Sequence, residues 1–339
     1  MIDPPNYAHL AAMTDNNGLF EHALHDLPRP EHGYCVDDVA RALVVVVREP
    51  NQSPLLEHLT ETYLRFLESA LDADGRAHNR MARDGSWEDA ATVGDWWGRS
   101  VWAFGVASVS AEDTFTRHRA ARSFHRAAAN RTPHLHSMVF AGLGATEVLL
   151  ANPGDDAARS LLTSAIEPIL RSQSRSWPWP ETRLRYANGA VAEAVIGAGQ
   201  ALEDAGILDR GLRLLEFLLE VETAHGHLSV TGSAGRDRGQ TGPLFDQQPI
   251  EVASLVDACA RAFAATSDAR WLAAAQLGFD WFLGNNDGNV VMLDELTGAG
   301  YDGLHRSGRN DNRGAESTLA ALSTWQHARR ISLLVGADA

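Results

Sequence analysis

The chain has 339 residues, 45% hydrophobic and 22% charged, the balance of a soluble protein that buries a core. Its 29 basic residues against 44 acidic ones leave a formal charge of −15, whose field repels polyanions, so nucleic-acid and membrane-surface roles are disfavoured. Every one of those basic residues is an arginine, which excludes a lysine Schiff base and a P-loop lysine.

Cys35 and Cys259 lie far apart, in no metal-ligand spacing, and the opening segment MIDPPNYAHLAAM carries no basic stretch followed by an apolar one. No apolar run approaches the ~18 residues of a membrane span. The expectation is a cytoplasmic protein with no metal, no cofactor and no membrane contact.

Taken in order, the apolar residues recur at helical spacing, and two kinds of helix alternate. The segment 5–14 is conventionally amphipathic, as are 54–71, 110–128, 155–172, 206–222 and 268–283. Each precedes or follows a helix rich in Ala, Gly, Val and Leu on nearly all sides, as burial on most of the circumference requires: 37–48, 94–108, 134–150, 186–203, 247–266 and 314–332. Gly98, Gly142, Gly144 and Gly197 in the second set allow close packing. Six exposed helices alternating with six buried ones predict an all-α fold, an (α/α)6 barrel. With no linker-like segment, it forms one domain over 1–339.

Each buried helix begins at a polar cluster, so the barrel gathers those clusters at one mouth. Asp37 and Asp38 open the first; one is expected to cap it, leaving Asp38 as an acid, base or hydroxyl acceptor. Asp95 is followed by Trp96, Trp97 and Arg99. His134 and His136, two apart at a helix start, do not share a face and have no third ligand, so a metal site is not expected. The loop 173–185 holds Trp177, Trp179 and Glu181, and Tyr186 and Asn188 follow it. FDQQPIE supplies Asp246 as a cap, Gln247 and Gln248 as hydrogen-bonding pairs, and Glu251 on the first turn. The loop 284–313 carries Tyr301, Asp302 and His305, and Glu316 starts the last helix. Tryptophans beside acids suit a carbohydrate, whose apolar ring face stacks on indole.

The segments GYCVDDVARAL, GDWWGRSVWAFG, WPWPETRLRYANGAVAEAVIGAG, FDQQPIEVASLVDAC, GYDGLH and GAESTLAAL, spread over nearly the whole chain, jointly resemble a bacterial six-hairpin glycosidase-like family often found beside or fused to glycosyltransferases. The resemblance implies an (α/α)6 toroid, action on carbohydrate and a possible association with a glycosyltransferase. Three positions depart from the family pattern: Ala187 stands in place of Asp, Val39 in place of Asn and Gly94 in place of Glu, which removes any catalytic role there.

The function expected first is a glycoside hydrolase working by paired carboxylates, with Asp38 and Asp95 as the leading pair and Glu181 and Glu316 as substitutes. Trp96, Trp97, Trp177 and Trp179 would be stacking platforms. Asp37, Arg99, His136, Tyr186, Asn188, Asp246, Gln247, Gln248, Glu251, Tyr301 and His305 would surround the substrate. The alternatives are a sugar epimerase or isomerase on the same barrel, with His136 and His305 moving protons, and a non-catalytic glycan-binding partner of a glycosyltransferase.

Overall fold

The computed structural model describes residues 2–171 and 177–337. Ser172, expected at the end of a helix, and 173–176 of the loop expected over 173–185 lie outside the described residues.

Among the described residues twelve α-helices alternate between two rings. The inner ring is α2 (Val36–Arg48), α4 (Asp95–Ser110), α6 (Leu135–Ala151), α8 (Asn188–Ala201), α10 (Pro249–Thr266) and α12 (Ala315–Ala337). The outer ring is α1 (Ala8–Ala12), α3 (Pro54–Ala70), α5 (Thr114–Ala127), α7 (Asp156–Leu170), α9 (Ala205–Glu222) and α11 (Arg270–Phe282). Each inner helix packs on the next and α12 returns to α2, so the ring closes; each outer helix packs on an inner neighbour. Among the described residues every sheet has only two strands, so these short ribbons brace loops and build no layer.

The inner helices are recognisable because their apolar surface runs all round. α2 buries Val39, Leu43, Val44, Val46 and their neighbours, and α6 is buried along nearly its whole length. The outer helices bury one stripe: α9 buries Leu214, Leu215 and Leu218 while its remaining faces meet water. Their starts are marked by side-chain caps, Ser53 on α3, Asp113 on α5, Asp155 on α7 and Asp204 on α9. α1 is shorter than the expected 5–14, and the helix expected from residue 110 starts only at Thr114, because α4 runs on to Ser110.

Glycine sets the closest approach. α4 and α6 cross where Gly98 faces the Ser137 backbone and Gly105 and Gly144 face each other's chains, so that a Cβ at any of these would collide with backbone. No described helix is long and apolar enough to cross a membrane.

Candidate active site

Because successive inner helices run the same way, their N-termini surround one mouth. At α2 the position before the helix is Cys35, which makes no side-chain cap, so neither Asp37 nor Asp38 is the expected cap. Both lie in the first turn, where the helix dipole favours a carboxylate, and both are committed to arginines. Asp37 accepts from Arg99 of α4 at 2.5 Å, and Asp38 accepts from Arg41 at 2.7 Å. Arg41 also reaches Glu316 of α12 at 2.8 Å. Arg41 itself is buried, and a buried guanidinium needs such partners. Asp38 is 4% exposed. Burial, which Arg41 only partly offsets and which Glu316 and Glu21 reinforce, pushes its carboxyl up to about 7.

Across α4, α6 and α8 the linkage continues. Asp95 is the first residue of α4, preceded by Gly94, and accepts hydrogen bonds from Ser137 Oγ at 2.6 Å and from the Tyr186 hydroxyl. The Tyr186 ring stacks on His136 with centroids 4.4 Å apart. Burial holds His136 down near 4, so its imidazole is neutral at pH 7, and its Nε2 has no hydrogen-bond partner among the described residues. The Arg99 guanidinium lies over Phe140, 4.2 Å from the ring centre.

On the α10 side the chain enters the helix extended, so Asp246 and Gln248 share one face and border the mouth. Asp246 is not the expected cap, since Gln248 occupies that position; Asp246 lies 3.3 Å from His305 Nδ1. Its carboxyl is raised by burial against the pull of His305. The ribbon Gly303–His305 with Gly308–Asn310 holds this segment through two backbone bonds between Leu304 and Gln247. Asp302, beside it, accepts the Gly314 N–H at 2.6 Å. A second ribbon, Tyr34–Cys35 with Arg80–Met81, carries Arg80 to Glu21. The resulting cleft, about 340 Å³, is bordered by Glu21, Asp37, Asp38, Arg80, Asp302 and Glu316 among others.

Several expected residues stand elsewhere. Trp97 is fully buried and donates to the Ala127 carbonyl at the end of α5, so neither ring face is open to a ligand. Trp177 and Trp179 pack on Phe217 of the outer helix α9. The Glu181 carboxylate pairs with Arg185 at 3.0 Å and does not border the cleft. Gln247 points away from the mouth, donating to Asp287 at 2.6 Å and accepting from Trp281 of α11. Tyr301 is buried between Arg309 and Arg313. Trp96 is half-buried and donates to the Ala77 carbonyl at 2.8 Å. Glu251 and Asn188 are buried and bond to each other, α10 to α8.

The cleft residues not singled out from sequence include Glu21, His22, Arg41 and Arg80. Arg41 had a signal, a cation three residues after Asp38 inside an apolar helix, where only paired acids make burial tolerable. Glu21, Cys35 and Asp38 bring ligand atoms within 4.8 Å of one another, but the two carboxylates already hold Arg80 and Arg41.

No family model and no curated protein matches this sequence. Solved structures match its fold. A sugar epimerase from a ruminal bacterium is 12% identical with a TM-score of 0.72, covering 94% of this chain and 95% of its own. Cellobiose 2-epimerase from Spirochaeta thermophila is 14% identical with a TM-score of 0.68, covering 98% and 94%. A GH76 alpha-mannanase from Bacteroides thetaiotaomicron is 9% identical with a TM-score of 0.63, covering 90% and 88%. The chain therefore shares the fold of these structures, an (α/α)6 barrel.

Proposed function

We propose that the chain is a carbohydrate-active enzyme that hydrolyses a glycosidic bond at the mouth formed by the inner-helix N-termini, with Asp38 as general acid and Asp95 as general base. The observation that carries this reading is Asp38: buried, beside Arg41 and Glu316, its carboxyl holds a proton close to neutral pH. Asp95, on the adjacent inner helix, is an acceptor of two hydroxyl hydrogen bonds and so has the polarity to orient a water. In the reaction Asp38 gives its proton to the leaving glycosidic oxygen. Water adds to the anomeric carbon, and its proton passes to Asp95, leaving two sugars and a proton to be returned from Asp95 to Asp38 through solvent. Arg41 and Glu316 set the charge that Asp38 feels, and Arg99 fixes Asp37. Likeness to a GH76 alpha-mannanase supports the same class.

Asp38→Asn and Asp95→Asn assayed on a panel of glycosides test this assignment. Each loses about 10²–10⁴-fold in rate while melting normally. Wild-type rates in both variants would remove the pair, and Glu316 would be the next acid to try.

A second reading, epimerase or isomerase, is favoured by one feature: the neutral His136, with a partnerless Nε2, stacked on the tyrosine that binds Asp95. The epimerase structures of the same fold support it. Conversion of a free reducing sugar into its epimer or isomer, without release of a second sugar, would select this reading over hydrolysis.

A further inference from the structure

At the end of the barrel opposite the candidate active site, the C-terminal halves of the inner helices surround a larger cleft, about 700 Å³. It takes Arg48 from α2, Val106 from α4, Glu147 from α6, Arg261 from α10 and His327 from α12. Several of its charges are paired. Asp257 holds Arg48 at 2.9 Å and His327 at 2.7 Å, Glu147 holds Arg261, and Glu49 holds Arg329 at 3.1 Å.

Glu193 of α8 is held less closely than these. Its side chain is 4% exposed, its nearest cation is Arg261 Nε at 3.9 Å, and its carboxyl makes no hydrogen bond to any described residue. It borders both this cleft and the narrow apolar cavity on the barrel axis, where Trp102 and Phe140 stand. A buried carboxyl with a cation at 3.9 Å and no hydrogen bond from it gains from a ligand that supplies one. It resembles none of the capping or ion-pairing acids elsewhere in the inner ring.

The chemistry of the missing partner follows from charge. Burial, with Asp257 next to it, pushes Glu193 up to about 8, so at neutral pH it is an uncharged acid offering one donor and one acceptor. The cleft's four arginines are then balanced by its four other carboxylates, and burial holds His327 below its usual value and hence uncharged. An ionic ligand finds no net attraction there. A neutral molecule with several hydroxyls can accept from one group and donate to the next.

We propose that this opposite mouth is a second binding site, for a neutral sugar of one or two rings, with Glu193 as its central hydrogen-bonding group. The proposal does not rest on the reaction assigned to the first mouth.

The test is calorimetric titration of D-glucose, D-mannose and cellobiose into the intact chain, as wild type, Asp95→Ala, Glu193→Leu and Glu193→Gln. One of the sugars should give a binding isotherm that persists in Asp95→Ala, weakens at least tenfold in Glu193→Leu, and stays within a few-fold of wild type in Glu193→Gln, whose amide keeps a donor and an acceptor. Binding lost in Asp95→Ala and unchanged in Glu193→Leu overturns the proposal, as does the absence of binding by all three sugars. Crystals of the wild type soaked in the same sugars give the answer without substitution, should Glu193→Leu fail to fold. A sugar beside Glu193 is expected, and sugar only at the Asp38 mouth overturns it. Loss of glycosidase activity with sugar still bound at Glu193 would count against the proposed reaction alone.

Discussion

Glu251 does for Asn188 what the residue before helix α8 cannot. Ala187, at the cap position, has φ +47° and no side-chain acceptor. From the neighbouring α10, Glu251 accepts the Ala187 N–H at 2.5 Å, the Asn188 N–H at 3.3 Å and the Asn188 side-chain amide at 3.2 Å. The start of one inner helix is thereby fixed by the next, and Tyr186, one residue before Ala187, is held where it meets Asp95. Replacing Glu251 by Ala strands these buried donors, each at about 1–3 kcal/mol. Denaturant unfolding should show a loss of at least that size, and Glu251→Gln, which keeps one acceptor for Ala187, should lose less. An Ala variant as stable as the wild type would mean that water replaces the carboxylate without cost.

How much of this was legible before the structure depends on which physical signal each residue carries. The inner and outer helices were separable because full burial and one-sided burial leave different apolar periods, and nine of the twelve helices fall within two residues of expectation at both ends, α1, α5 and α12 departing further. Asp37, Asp38, Gln248 and Glu316 border the cleft, since polar residues at the start of a buried helix have the mouth to face, whereas Asp95 opens α4 without bordering it. Trp97, Trp177 and Trp179 could not be separated from stacking platforms, since an indole packed between two rings of helices has the same sequence neighbours as one lining a cleft. Gln247 and Gln248 are adjacent, and only the extended backbone decides which of them turns inward. Glu193 and Asp257 are acids within Ala-rich helices, away from the helix starts, so the polar clusters that mark the first mouth do not point to them.

Asp38 sets an expectation for activity against pH. A general acid works while protonated, so with its carboxyl carried from 3.8 to about 7 the rate should fall as pH rises through neutrality. The measurement is a pH profile of kcat/KM on a glycoside that the wild type cleaves. Glu316→Gln removes one of the negative charges that raise Asp38, and the alkaline limb should move to lower pH. A limb that stays in place in Glu316→Gln would show that some other group titrates there.

Stability should fall as pH rises from about 6.5 to 8, contrary to the habit of proteins with paired surface acids. Glu193 is raised from 4.5 to about 8, first by burial and then by the Asp257 charge. Between those values the folded chain holds a proton that the unfolded chain has released, so raising the pH favours unfolding. Asp38 acts in the same direction between 3.8 and about 7, and Glu251, also raised by burial, between 4.5 and about 8, so Glu193 carries only part of the slope. His136, held near 4 in the folded chain against 6.5, acts oppositely, but its gain is complete by about pH 6.5. Thermal melts across this range should therefore slope downward, and Glu193→Gln, which has no proton to lose, should flatten the slope. A Tm that rises toward pH 8 would show that Glu193 is ionised in the folded protein.

The approach of α4 to α6 gives the sharpest structural expectation, because it joins packing to the site. A Cβ on Gly144 would collide with the backbone of Val101 and Trp102, and neither can yield without moving α4. Overpacking of this kind costs about 1–3 kcal/mol and sometimes more. The same two helices carry Asp95 and Ser137 at their starts, 2.6 Å apart between Oδ1 and Oγ. Separating the helices should lengthen that contact and lower the rate as well as the Tm. Gly142→Ala is the control on the same helix: its Cβ would meet the Ala165 Cβ of α7 at 3.0 Å, a tight contact against a side chain rather than backbone. The expected result is a large loss of stability and activity in Gly144→Ala, with a smaller loss of stability and near-normal activity in Gly142→Ala. Equal effects in the two variants would mean that the inner ring relaxes freely and that the α4–α6 contact does not position Asp95.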